Sequence, residues 1–278
     1  MVYDCFPFFN ELDILEIRLN ELNQVVDKFV LVESAKTFQN QDKPFFFEEN
    51  KERYAKFLDK IIHIKLYKVP AFNWKKLHKM TPWNISNWQK NQVKQGLKDC
   101  QDNDTLIIGD VDEIPRASKV KELLNNKEIV SFEQLMCCYH LNRVCYQFEN
   151  ETVMRLVGDK AYWRGSMMLP YHKHKSFVHT RTAFRNANKG IKVVENSGWH
   201  FSYIGDAEHI IKKATSFEHA GEDAYKHSKK AQEVNSIIER GDDIYGRNFK
   251  YRVEELTKEL FPSFVVENQD KFSDFLAR

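Results

Sequence analysis

An α/β fold with a mostly parallel central sheet, and a less regular second half, is predicted by three features of the 278-residue chain. From Met1 to about Asn126, short apolar runs alternate with segments of helical period, the pattern of a parallel sheet covered by helices. The run Phe29-Val30-Leu31-Val32 is continuously apolar, as in a strand buried on both faces. Glu33 and Ser34 follow it directly, placing polar side chains at the carboxyl end of a central strand, the ligand edge of open α/β sheets.

The elements follow in order. A strand near Val2–Phe6 leads to Asn10, a residue type suited to an N-cap, and to a helix over Glu11–Asn23 with Leu12, Leu15, Leu19 and Leu22 on one face. After the Phe29–Val32 strand come a helix around Asn50–Leu58 and a strand at Ile61–Tyr67. Asn84–Cys100 reads as an amphipathic helix with Ile85, Trp88, Leu97 and Cys100 inward. The segment Thr105–Pro115, TLIIGDVDEIP, is a buried strand ending in acids. Strands are expected at Ile129–Leu135 and Val153–Val157. A helix starts at Asp206, with Ala207, Ile210, Ile211, Ala214 and Phe217 on one face, and others cover Ala224–Arg240 and Tyr251–Leu260, the last ended by Pro262. No repeat or flexible linker divides the chain, so residues 1–278 form one domain, with a first half at 1–126 and a second at 127–278.

Composition narrows the function. Forty-two basic and 40 acidic residues leave a net charge of +2, without the basic excess of a nucleic-acid binder. No apolar run approaches the ~18 residues of a membrane span, and Met1–Asn10 lacks the basic leader of a signal peptide. The five cysteines form an odd set with no C-x-x-C pair, which suits a reduced, cytoplasmic protein and argues against a zinc ribbon.

Asp110 and Asp112, at i and i+2 after a buried strand, repel one another unless a cation or donors neutralise them. Oxygen ligands of this kind suit Mg²⁺ or Mn²⁺, held by one or two carboxylates together with substrate phosphates. A capped turn, in which either aspartate accepts backbone N–H bonds, is the other arrangement the spacing admits.

Three segments carry a resemblance. Asp4-Cys5-Phe6-Pro7-Phe8-Phe9-Asn10-Glu11-Leu12-Asp13, continuing through Glu16, Arg18, Glu21 and Leu22 to Val32-Glu33-Ser34, resembles the opening of glycosyltransferase family 17. Ile108–Pro115 is similar to that family's D-x-D-E-I-P block, and Gly198-Trp199-His200-Phe201-Ser202 to its G-W-H-x-S block. The resemblance implies a GT-A-type, Rossmann-like fold with an elaborated C-terminal acceptor half. It also implies a UDP-N-acetylglucosamine donor, a divalent metal, Mn²⁺ or Mg²⁺, and inversion at the anomeric carbon. Carried onto this chain, Asp110 and Asp112 grip the metal and the ribose-diphosphate region, Glu33 and Ser34 lie where uridine binds, and His200 stands where a late histidine completes metal coordination. A packed or surface histidine is the other reading of His200. Inversion calls for a carboxylate base near the acceptor hydroxyl. Glu113, beside the aspartates, and Glu195, ahead of the histidine block, are the two candidates, each equally readable as a structural or surface acid.

Other clusters carry less. His172, His174 and His179 sit in a basic stretch at Tyr171–Arg181 that reads as solvated, and Lys226, Lys229 and Lys230 read as an exposed helix face. Trp74, Trp83 and Trp88 are possible sugar-stacking rings, Trp88 having also a core reading. The expected partners are a UDP-sugar and a glycan or lipid-linked oligosaccharide. The animal members of the family carry an N-terminal membrane anchor that Met1–Asn10 does not resemble, so a soluble enzyme, peripheral to a membrane if its acceptor is lipid-linked, is expected. Two other functions are weighed: nucleotidyl or phosphoryl transfer, for which no Gly-rich phosphate loop or G-K-[ST] is found, and a non-catalytic glycan-binding protein on the same scaffold.

Overall fold

The computed structural model describes residues 1–73, 78–149, 151–185, 191–216 and 230–278. The strands are β1 (Val2–Phe8), β2 (Lys28–Ser34), β3 (Ile61–Leu66), β4 (Phe72–Asn73), β5 (His78–Lys79), β6 (Thr105–Ile108), β7 (Glu113–Pro115), β8 (Val130–Cys138), β9 (Arg143–Gln147), β10 (Met154–Val157), β11 (Lys160–Pro170), β12 (Lys192–Val194), β13 (Gly198–Ser202) and β14 (Lys250–Val253). The helices are α1 (Leu12–Leu22), α2 (Phe46–Glu49), α3 (Pro82–Lys90), α4 (Ala117–Glu122), α5 (Phe177–Arg185), α6 (Ala207–Ser216), α7 (Ala231–Glu239) and α8 (Ser263–Glu267).

One 12-stranded sheet runs β14-β9-β8-β11-β6-β1-β2-β3, while β4 and β5 form a separate ribbon. Strands β6, β1, β2 and β3 are parallel, the Rossmann-like half expected of the first 126 residues. Beyond β6 the path turns antiparallel through β11, β8, β9 and β14, with parallel β12 and β13 added along β8. The fold is thus α/β of the Rossmann-like, GT-A type, with the parallel strands in the first half and the elaboration in the second.

Strand alternation explains the two-sided burial of the parallel half. Phe6, Phe8, Phe29, Leu31 and Ile107 face one side and pack with Leu15, Leu19 and Leu22 of α1. Tyr3, Cys5, Val30, Val32, Leu106 and Ile108 face the other, against Val93 and Leu97. With helices on both faces, no position of β1 is left for a polar–apolar alternation, and all seven are buried.

Several local expectations are corrected. The N-cap position of α1 is Glu11 rather than Asn10, and it makes no side-chain cap bond: its carboxylate instead turns back to accept from the backbone N–H groups of Phe9 (3.2 Å) and Asn10 (3.1 Å), ahead of the helix. The Asn84–Cys100 helix starts earlier, at Pro82 behind a Thr81 cap, and gives way to a 3-10 turn over Asn91–Gly96. The Asn50–Leu58 helix is 3-10 over Lys51–Phe57, with a kink at Tyr54. The expected helix Tyr251–Leu260 is absent: Tyr251, Arg252 and Val253 pair with β9, the first and last being strand-favouring residues, and Pro262 precedes α8 rather than ending a helix. Asp206 does cap α6, accepting from the His209 N–H at 2.7 Å. Trp74, Phe217, Lys226, Lys229 and the first part of the expected Ala224–Arg240 helix lie outside the described residues.

Candidate active site

The acidic loop Gly109–Asp112 leaves the carboxyl end of β6 and returns as β7, which pairs with β13 so that His200 stands opposite Glu113. Strand β13 also runs beside β8, His200 against Met136, so the histidine is fixed on two edges. A hydrogen bond from the Phe201 N–H to the Asp112 carbonyl, 2.9 Å, closes the loop onto this strand. Two segments far apart in sequence therefore meet by strand pairing.

The loop's shape is set from beneath by Arg18, a fully buried side chain of α1. Its guanidinium grips both oxygens of buried Asp4 at 2.7 and 2.6 Å. It also donates to the carbonyls of Asp110 (3.0 Å), Val111 (3.2 Å) and Glu113 (2.8 Å). A planar, permanently charged fork can serve a carboxylate and a bend of backbone together, which a lysine ammonium cannot. Gly109 is needed at the bend because a Cβ there would collide with Ser166.

A cleft of about 600 Å³ opens at this edge, lined among others by Phe8, Lys36, Lys43, Asp110, Asp112, Trp163, His200 and Lys213. Its volume lies in the usual range of small-molecule sites. Asp112 presents one oxygen to His200 Nε2 at 3.8 Å and the other to Lys213 Nζ at 3.1 Å. Lys213 lies between Asp112 and Glu11, 3.2 Å from the latter. Burial opposes the charge on Lys213, but Asp112 and Glu11 outweigh it and raise its pKa. Burial likewise opposes the Glu11 carboxylate, and Lys213 with two backbone N–H groups more than compensates, holding its pKa below the ordinary value. Asp110 pairs with Lys90 at 3.1 Å and with Arg181 at 3.0 Å.

The structure thus brings Asp110, Asp112, Glu113 and His200 together. Glu113 is buried, and its carboxylate accepts from Arg181 (2.7 Å), Trp163 Nε1 (3.0 Å) and the Asp110 N–H (3.0 Å), so it braces the loop from behind. Glu195 is not brought to the cleft: its carboxylate is 68% exposed and pairs with Arg155 at 2.7 Å. Glu33 and Ser34 lie at the end of β2, both fully buried and neither on the cleft wall. Glu33 receives Lys43 (3.4 Å), His63 (3.1 Å) and the Phe47 N–H (3.3 Å), so it reaches the cleft only through Lys43. Ser34 accepts from the Lys36 N–H at 3.1 Å, shaping the turn that carries Lys36 and Thr37 to the cleft. His172 and His179 are exposed, as a solvated tract implies, but His174 is not: it is half-buried with Nδ1 3.2 Å from the Thr180 hydroxyl, and Arg181 at the tract's end is buried and pairs with Asp110.

Sequence reading missed Arg181, Lys90, Lys213 and Trp163. Lys213 had one available signal, a lysine one turn from Ile210 in a helix whose apolar face was already marked. The ring of Trp163 lies 5.0 Å from that of His200, a contact that no local pattern announces.

An open Rossmann-like sheet with an acidic loop at its carboxyl edge, read with the match of residues 1–276 to the glycosyltransferase family 17 model, defines a glycosyltransferase. The chain belongs to glycosyltransferase family 17. It is 22% identical over 291 residues to β-1,4-mannosyl-glycoprotein 4-β-N-acetylglucosaminyltransferase of Rattus norvegicus, and 21% identical to the Homo sapiens protein of that name. The match covers 95% of this chain and 52% of each relative, so the chain spans about half the length of the curated relatives it matches. Among solved structures, HddC from Yersinia pseudotuberculosis superimposes with a TM-score of 0.39 at 10% identity, over 70% of this chain and 90% of that one. Glucosyl-3-phosphoglycerate synthase from Mycobacterium tuberculosis superimposes at 0.36 and 11% identity, over 72% and 69%.

Proposed function

We propose that this glycosyltransferase moves N-acetylglucosamine from UDP to a glycan hydroxyl, with a divalent cation and with inversion at the anomeric carbon. The observation that carries the reading is the convergence of Asp112 and His200 on the cleft, with their donor atoms 3.8 Å apart. Two ligands that each lie ~2.1 Å from one ion stand at most ~4.2 Å apart, so the pair fits a shared Mn²⁺ or Mg²⁺. Among the described residues no three His, Cys, Asp or Glu side chains form a fuller cage. Two protein donors suit an ion whose remaining positions go to diphosphate oxygens and water. When bound, such an ion supplies Lewis-acid stabilisation of charge on the departing diphosphate.

The chain's own residues do the rest. Lys213 neutralises the second Asp112 oxygen and so aims the first at His200. Lys90 and Arg181 hold Asp110 beside it, where its carboxylate remains 30% exposed and able to meet a ribose or a diphosphate-bound water. Lys36 and Lys43 add positive charge near the end of β2, where Glu33 and Ser34 shape the uridine end without facing it. Glu113 is proposed as the brace of the loop. The acceptor, a glycan or lipid-linked oligosaccharide, belongs on the wall formed by the second half of the chain, where Met154, Trp163 and Phe249 offer apolar surface to a sugar face.

Thermal unfolding with a panel of nucleotides tests this, since a ligand that binds only the folded state raises apparent stability. UDP-N-acetylglucosamine with Mn²⁺ is expected to give the largest shift among UDP-sugars, and ATP little. Equal shifts with ATP and UDP-sugars, or none with either, overturn the reading.

A further inference from the structure

An inverting transfer needs a carboxylate that can accept a proton from the attacking hydroxyl. Among the described residues, five carboxylates line the cleft: Glu11, Asp110, Asp112, Glu113 and Glu151. Four are committed. Glu11 and Asp112 share Lys213. Asp110 holds Lys90 and Arg181, and Glu113 is closed off by Arg181 and Trp163. The oxygens of each of these already accept from a cation or from N–H donors, which fixes the carboxylate in a structural geometry and leaves it badly placed to take a proton from an acceptor hydroxyl.

Glu151 differs. Its carboxylate makes no hydrogen bond or ion pair among the described residues, and it lies half-buried on the cleft wall. The connection between β9 and β10 carries it, with its carbonyl accepting from the Met154 N–H at 3.4 Å. Met154 stands opposite Trp163 in the β10–β11 register, and the Trp163 ring lies against His200. Glu151 is therefore linked through its backbone and the β10–β11 pair to Trp163, the ring that lies against His200, and stands on the cleft wall contributed by the second half of the chain.

We infer that Glu151, rather than Glu113 or Glu195, is the general base of the transfer. The inference rests on the transferase reading above. In the step it serves, the acceptor O–H gives its proton to a Glu151 carboxylate oxygen while that hydroxyl oxygen forms a bond to the anomeric carbon. The bond from the anomeric carbon to the diphosphate oxygen breaks, its electron pair leaves with UDP, and the proton passes from Glu151 to solvent after product departs. With water in place of the glycan, the same step hydrolyses the donor, so a test needs no known acceptor.

UDP release from UDP-N-acetylglucosamine with Mn²⁺ is measured for wild type, Glu151→Gln and Glu151→Ala, beside UDP affinity by calorimetry. Loss of a general base is worth ~10²–10⁴-fold in rate. Glu151→Gln is expected to slow release at least ~100-fold while binding UDP within about threefold of wild type, and formate is expected to restore part of the rate to Glu151→Ala alone. Release within about threefold of wild type, or UDP affinity lost along with rate, overturns the assignment and leaves the transferase reading standing. A wild-type protein that neither binds UDP nor releases it from the sugar overturns both.

Discussion

Lys213 shows what a single side chain contributes to this cleft. Its ammonium links the start of α1, through Glu11, to the acidic loop, through Asp112, and it does so from α6 in the other half of the chain. Removing it leaves two buried carboxylates without their shared cation, the situation in which buried charge is most costly. Lys213→Met is expected to lower stability by ~3 kcal/mol or more in urea unfolding and to weaken nucleotide binding; unchanged stability would show that the two acids are solvated without it. Asp110, Asp112 and His200 were legible in sequence because each sits in a compact block whose chemistry is local. Lys213, Arg181 and Lys90 were not, since an isolated basic residue on a helix looks the same whether it faces solvent or a carboxylate.

At the scale of elements, α1 and β13 position the loop from two sides. Arg18 couples α1 to β1 through Asp4 and to three loop carbonyls, and breaking a buried pair of this kind costs about 3–5 kcal/mol. Arg18→Lys is expected to lose most of that, because an ammonium cannot span Asp4 and the loop together; a loss under about 1 kcal/mol would contradict the assigned role. On the other side, Gly198 opens β13 with φ of 150°, and a Cβ there would strike the Ile114 carbonyl across the β7–β13 pair. Gly198→Ala should push β13 from β7, carry His200 away from Asp112, and reduce Mn²⁺-dependent UDP binding in calorimetry more than the core defect alone would; intact binding would show that the pair tolerates the shift. The parallel strands were readable because they are buried on both faces and so continuously apolar. Tyr251–Leu260 was misread because its first three residues are claimed by β9, a long-range pairing that outweighs a weak helical spacing.

Over the whole molecule, one sheet carries both halves, and its junction at β6–β11 lies beside the cleft. The five cysteines are free, and the four on β1, β8 and β9 are buried. No helix among the described residues is long and apolar enough to cross a membrane. Acid sensitivity is expected of the fold as a unit. Burial lowers the pKa of His140 to about 4, aided by Arg143, and that of His174 to about 4, aided by His179. Below about pH 6.5 the unfolded chain binds protons that the folded chain refuses until about pH 4, so stability is complete above this window and falls as pH drops through it. Replacing both histidines by glutamine should flatten that decline in urea titrations; an unchanged slope would place the acid transition elsewhere. The proposal that Asp112 and His200 share an ion with a bound diphosphate is tested most directly by Mn²⁺ binding, followed by the loss of the free-ion paramagnetic resonance signal. Mn²⁺ is predicted to bind tightly only when UDP is present, and to bind weakly with UDP in Asp112→Ala and in His200→Ala. Equal Mn²⁺ binding with and without UDP, or binding untouched by either substitution, would contradict it.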